Sequence, residues 1–287
     1  MYQQRVWYVH KVYFRKRGRL TMSIKSYWNG CSDNWFVENR RSHESVMINP
    51  ITGFPIDVYP LILKYMGDIR EKKVLVPSSG DNVAVFALHL LGASVTSCDL
   101  SEKQIKNAAE IAKENNWDIE FVVQDTMTLD KIGENKYDLV YTSNGAHVWI
   151  NDMPKMYQNI KRVLKSGGYS IFFETHPMCR PFDMTTYEVK VKQHYADVHI
   201  WANDKVPNYL WRVQDFVNAI TTNDFVIREM LEFHSHPEDL SCHNYLCVDP
   251  DDIEATGKWP GDTFDWKVNP WAALPSCLSI CSQKADK

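Results

Sequence analysis

Between residues 73 and 174 short apolar runs alternate with longer amphipathic segments. Lys73 to Val76 is a short apolar strand, Val83 to Leu91 a helix, Ser94 to Cys98 a strand, Glu102 to Asn115 a helix and Ile119 to Val123 a strand. Asp138 to Thr142 continues the series, followed by a helix from Pro154 to Leu164 and a strand from Tyr169 to Glu174. Strands separated by whole helices cannot pair through tight turns, so the pattern predicts βαβ units and a parallel sheet. Right-handed crossovers then place helices on both faces. Beyond Glu174 the alternation slackens, resumes with a helix at Val213 to Thr222 and a strand at Phe225 to Phe233, breaks at 234 to 273, and closes on a β-type run from Leu274 to Ser282. Before it, Tyr27 to Leu63 is aromatic and helical, with Pro50, Pro55 and Pro60 expected to break it into short pieces. The expected organisation is an N-terminal helical cap at 22–70 and an α/β domain at 71–287, with lid-like insertions at about 178–212 and 234–273.

Composition narrows the class. With 44% hydrophobic and 24% charged residues and a net charge of -4, the chain can build a real apolar core. Lys and Arg (32) are outnumbered by Asp and Glu (36), which argues against the basic stripe of a nucleic-acid binder. No apolar run approaches the roughly 20 residues that span a bilayer, so no membrane partner is expected. The seven cysteines are odd in number and irregularly spaced, which predicts reduced thiols and a cytoplasmic setting. Residues 1–21 hold six basic residues and no acidic one, and are read as a disordered leader, with a basic arm for a membrane or nucleic acid as the other reading.

In an open parallel sheet, ligands bind beyond the carboxyl ends of the strands. After the first strand come Pro77-Ser78-Ser79-Gly80-Asp81-Asn82, small turn-formers leading into a helix whose N-terminus can receive a negatively charged group. After the second comes Asp99, 19 residues beyond Gly80, where an acid would take both hydroxyls of a ribose. Each feature alone is weak, since a small-residue turn is often punctuation and Asp99 could cap the next helix. Together they point to a nucleoside-containing cofactor.

The order of these residues resembles the class I S-adenosylmethionine methyltransferases, especially those acting on small metabolites. Val74 to Asn82 resembles the family's glycine-rich first motif, and Thr96 to Ser101 its second strand ending in the ribose-binding acid. Gln124-Asp125-Thr126-Met127 is similar to the turn that frames the adenine, Tyr137 to Asn144 to the fourth strand and the loop beside the methyl, and Leu164-Lys165-Ser166-Gly167-Gly168 to the turn into the fifth. The resemblance implies a Rossmann-like α/β fold with a mostly parallel seven-stranded sheet, helices on both faces and an antiparallel last strand. It implies S-adenosyl-L-methionine as cofactor and a small-molecule acceptor. The implied cofactor-binding residues are Pro77, Ser78, Ser79, Gly80, Asn82, Asp99, Leu100, Asp125, Thr126, Met127, Ser143 and Asn144, with Asp125 facing the exocyclic amine and Met127 the ring.

Three positions depart from the family: Val76 replaces an acid, and Ser78 and Asn82 replace glycines, of which Asn tolerates positive φ best. These departures keep a non-catalytic cofactor-binding module in view. A nicotinamide oxidoreductase is the other alternative, but its fingerprint wants glycine where Ser78 and Val83 stand, and a branched Val blocks close helix-to-strand packing.

His147, just past the fourth strand, is the first catalytic candidate, because an imidazole can take a proton from an acceptor hydroxyl or amine. Its plainer role is to hydrogen-bond the loop. Glu174 and His176, at the end of the fifth strand, come next, the alternative being a mutually satisfied strand-end pair. His234, His236, Cys242, His243 and Cys247 match no standard zinc spacing, so no metal is expected. Cys277 and Cys281 read as core residues. Tyr187, Tyr195, Trp201, Tyr209, Trp211, Trp259, Trp266 and Trp271 crowd the insertions, either as a lid or cage for a flat, apolar or cationic acceptor or as internal packing.

Overall fold

The computed structural model describes residues 22–143, 145–183, 187–202, 206–234 and 261–286. The leader, Asn144, most of the second insertion with Trp259, and His236, Cys242, His243 and Cys247 lie outside the described residues.

Seven strands form one sheet: β1 (Lys73–Pro77), β2 (Ser94–Asp99), β3 (Glu120–Val123), β4 (Tyr137–Thr142), β5 (Leu164–Thr175), β6 (Phe225–Phe233) and β7 (Cys277–Lys284). Their spatial order is β6-β7-β5-β4-β1-β2-β3. Strands β1 to β5 pair in parallel, and β7 runs antiparallel between β5 and β6. The expected seven-stranded sheet with its antiparallel last strand is thus present. Val74, Leu75 and Val76 are all buried, as a central parallel strand covered on both faces requires.

Successive side chains of a strand feed opposite layers. Val74 and Val76 join Phe86 and Leu88 of α3 (Val83–Leu90) and Ala108 and Ile111 of α4 (Glu102–Glu114). Leu75, Val140 and Phe172 join Met156 and Ile160 of α5 (Met153–Val163) and Phe216 of α6 (Val213–Thr221). Each large side chain so buried contributes about 1.5 to 3 kcal/mol.

The N-terminal segment is broken at Pro50 and Pro55 as expected, but its first piece is long and Pro60 breaks nothing. A single 25-residue helix, α1 (Ile24–Ile48), starts on Ser23, whose hydroxyl accepts from Ser26 N–H, and ends before Pro50. Pro60 does not break α2 (Val58–Met66), because it sits in the first turn, where backbone N–H groups have no intrahelical partner. Val46, Phe54, Val58, Leu61 and Ile62 belong to the same apolar layer as β1.

Two boundaries are also corrected. β5 begins at Leu164, so the expected turn is an irregularity inside the strand, where its pairing with β4 shifts and Gly167 takes φ 69°. β7 begins at Cys277, because Pro275 has no N–H to offer a ladder. Between β5 and α6 lie two short antiparallel ribbons, Phe182–Asp183 with Lys190–Val191 and His199–Ala202 with Val206–Tyr209. The second packs on α1 and on the turn His147–Trp149. Cys31, Cys98, Cys179 and Cys281 are free thiols, whereas Cys277 is disulfide-bonded, which corrects the all-thiol expectation.

Candidate active site

At the carboxyl edge of β1 and β2 the small-residue loop and the acid come together. Asp99 is buried, and its carboxylate accepts from Gly80 N–H (3.0 Å) and Ser101 N–H (2.8 Å). Burial pushes its carboxyl up to about 6, against the opposing effect of backbone N–H groups at Ser101, Gly80 and Leu100. A carboxylate has about four lone-pair positions, so it keeps acceptor capacity for a ligand's hydroxyl beyond these backbone N–H groups. Gly80 is at φ 54°, a backbone conformation that selects glycine, and the end of the Gln104 side chain lies over it.

Ser78 takes φ 50°, the conformation that favours the glycine it replaces. Its Oγ lies 2.8 Å from Thr126 Oγ1, which ties the loop to the turn after β3. Ser79 Oγ lies 2.8 Å from Ser97 Oγ. Asn82 departs from expectation: its φ of -59° needs no glycine. Instead its side chain caps α3 by accepting from Ala84 N–H (2.9 Å) and donates to Ser143 Oγ (2.8 Å), joining the loops after β1 and β4. Val76 fills its position with apolar core, which is why an acid is absent there. Pro77 is buried at the end of β1, and Leu100 follows Asp99 half-buried. Asp125 is exposed and accepts from Met127 N–H (2.8 Å), while Met127 is half-buried beside the second apolar layer.

The catalytic candidates pair differently from the order in which they lie along the chain. Glu174, at the end of β5, has no exposed surface, and its Oε1 accepts from both His147 N–H (2.9 Å) and His147 Nδ1–H (2.8 Å). The His147 ring packs against both Phe172 (5.0 Å) and Phe216 (5.2 Å), which stack on each other (4.9 Å). With Nδ1 donating to Glu174, Nε2 carries the lone pair, and both Nε2 and Glu174 Oε2 are enclosed without a hydrogen-bond partner. His176 stands apart from that pair. Its Nε2 lies 3.0 Å from Glu232 Oε1, and its Nδ1 accepts from Met178 N–H (3.1 Å) at the start of the turn Pro177–Cys179. Burial holds its imidazole below the usual value.

Much of the aromatic surround comes from elsewhere than the insertions. Trp149 stacks on Tyr27 (5.3 Å) and meets Trp28 edge-on (5.2 Å), both from α1. Of the insertion aromatics, Tyr209 stacks on Trp211 (5.9 Å), and Trp211 Nε1–H donates to Ile150 O (2.9 Å) in the segment after Trp149. Tyr187, Tyr195 and Trp266 are exposed, Trp201 lies on the second ribbon, and Trp271 packs against Phe182 (5.6 Å). The helical pattern of 27–63 gave no sign that Tyr27 and Trp28 face the loop after β4. Among the described residues no group of three or more His, Cys, Asp or Glu could hold a metal ion.

Comparison with known proteins agrees with this geometry. Residues 77–168 match the methyltransferase domain family. An uncharacterized methyltransferase of Bacillus subtilis is 26% identical over 176 residues, which cover 59% of this chain and 66% of that protein, just under two thirds of its length. The crystal structure of an S-adenosylmethionine-dependent methyltransferase from Mesorhizobium loti superposes with a TM-score of 0.57 at 18% identity, covering 78% of this chain and 96% of the other. Geranyl diphosphate C-methyltransferase from Streptomyces coelicolor, solved with Mg2+, geranyl diphosphate and S-adenosyl-L-homocysteine, gives 0.53 at 11% identity, covering 79% and 78%.

Proposed function

We propose that this chain, which carries the domain and the fold of the class I S-adenosylmethionine-dependent methyltransferases, transfers the cofactor's methyl group to an oxygen, nitrogen or carbon of a small-molecule acceptor. The observation that carries the reading is Asp99 bonded to Gly80 N–H at the carboxyl edge of adjacent strands, which unites a ribose acid with a left-handed glycine turn. When bound, S-adenosylmethionine would supply a methyl activated on a sulfonium, which the acceptor would take as the thioether sulfur leaves with the C–S bonding pair as S-adenosylhomocysteine.

The protein's part is to bind, orient and move a proton. Asp99 would accept the ribose hydroxyls and Asp125 and Met127 would hold the adenine, while the Asn82–Ser143 bond ties the loops after β1 and β4 into one geometry. Such positioning can supply roughly 7 to 11 kcal/mol of a barrier. His147 is the base: Glu174 fixes its tautomer through Nδ1 and stabilises the ring once Nε2 has taken the acceptor's proton. Both Nε2 and Oε2 are enclosed, so acceptor entry requires the cover over His147 to shift. His176, with both nitrogens engaged, shapes the strand end.

A small acceptor fits the aromatic surround of Tyr27, Trp28 and Trp149 and the absence of a basic excess. The Streptomyces relative takes geranyl diphosphate, an acceptor of that size class. Methyl transfer from radiolabelled S-adenosylmethionine to a panel of small hydroxyl, amine and carbon-acid compounds tests the proposal. Transfer that His147→Ala abolishes supports it, whereas cofactor binding with no transfer to any compound returns the chain to a binding module.

A further inference from the structure

The loop that presents Asp99 is held from outside the α/β domain. Asn29, on the second turn of α1, accepts from Ser101 Oγ (2.7 Å) through its amide oxygen and donates to Glu102 Oε2 (3.1 Å) through its amide nitrogen. Ser101 is the residue whose N–H donates to Asp99 Oδ1 (2.8 Å), and its hydroxyl oxygen also accepts from Gln104 N–H (3.3 Å), capping α4. Gln104 in turn lies against Gly80. One amide on α1 therefore closes a chain of contacts around both loops that flank the ribose acid. Lys25 pairs with Glu102, and Lys103 with Asp33, on the same seam, but both ion pairs are exposed and worth little.

We propose that Asn29 is a positioning residue for the cofactor: acting through Ser101, it fixes the orientation of Asp99, so that S-adenosylmethionine affinity depends on a side chain of the N-terminal helix. The proposal rests on Asp99 being the ribose acid. A hydroxyl whose donor is committed to Asn29 keeps its oxygen lone pairs for the α4 cap, and the Ser101 backbone then cannot turn its N–H away from Asp99. Without the amide, the Ser101 side chain keeps only the Gln104 N–H, and the N–H that Ser101 donates to Asp99 is held less firmly.

The test is calorimetric titration of the full chain with S-adenosylmethionine for wild type, Asn29→Ala, Ser101→Ala, the double variant, Lys103→Ala and Asp99→Ala, with the melting temperature of each measured alone. Asn29→Ala should weaken binding roughly three- to tenfold, the factor one neutral hydrogen bond supplies. In the Ser101→Ala background the same change should add almost nothing, because the two residues act in series. Lys103→Ala, which breaks only a surface pair between α1 and α4, should leave affinity unchanged. A lower melting temperature for Asn29→Ala at unchanged affinity, or effects of Asn29→Ala and Ser101→Ala that add in full, would overturn the proposal. Asp99→Ala separates the two levels: unchanged affinity there removes the ribose assignment itself, whereas weakened affinity there with none lost in Asn29→Ala removes only the role of Asn29.

Discussion

Asp99 gives binding and folding opposite responses to pH. Burial raises its carboxyl from 3.8 to about 6, and in the proposed function the ionised form is the one that would accept ribose hydroxyls. Cofactor affinity should therefore fall as pH drops through 6, by about tenfold at pH 5, where roughly a tenth of the group is ionised. The cofactor-free protein responds the other way. A raised carboxyl favours the folded state when protonated, a contribution that is full below about 4 and lost as pH rises through about 6, worth on the order of 2 to 3 kcal/mol. Titrations of wild type and Asp99→Ala between pH 5 and 7.5, paired with melting curves, check both signs. Asp99→Ala should also lose about 1.5 to 3 kcal/mol of cofactor binding at pH 7.5 and show no acid limb. His147 and Glu174 form the second test at this scale. His147→Ala should lower kcat by roughly 10² to 10⁴ with cofactor affinity nearly constant. Glu174→Gln should fall by a comparable factor, and the double variant little further, because the pair acts as one unit. A double variant that loses the product of the two single effects would show that they act independently.

At the scale of elements, the sheet and its helices were legible because hydrophobic period and turn chemistry agree from Lys73 to Glu174 and again from Val213 to Phe233. What was not legible depended on partners distant in sequence. Glu174 and His176 are two residues apart and would share a face had β5 continued. The strand ends at Thr175, however, so His176 starts a turn and bonds to Glu232 while Glu174 reaches His147 on another loop. Asn82 looked like a substitute for glycine because its partner, Ser143, lies on a loop that composition cannot bring near. The N-terminal helix runs unbroken for 25 residues because the first proline of the segment is Pro50, just past its end. Truncation separates this helix from the leader. Removing residues 1–21 should leave melting temperature and cofactor affinity unaltered, because that stretch lacks the apolar pattern needed to pack. Removing residues 1–48 takes away buried Val46, the Asn29 contact and the aromatic partners of Trp149, and should lower both. Equal behaviour of the two truncations would deny α1 any part in the site.

For the molecule as a whole, one sheet edge gathers Asp99, the glycine turn at Gly80, the turn at Asp125 and the His147–Glu174 pair, while α1 reaches both the Asp99 loop and the loop after β4. The proposed function gives binding to Asp99 and proton transfer to His147, so the two should separate on mutation. The departures at Val76, Ser78 and Asn82 leave the loop built: Val76 is core, Ser78 takes the left-handed turn, and Asn82 bridges to Ser143. The measurement that bears most directly on the central claim is calorimetric titration of the full chain with S-adenosylmethionine and, separately, with a nicotinamide dinucleotide. Saturable one-to-one binding of S-adenosylmethionine, weakened by Asp99→Ala, with no heat from the dinucleotide, is the predicted result. Folded protein that binds no S-adenosylmethionine, or binds it equally well without the Asp99 carboxylate, would contradict the account.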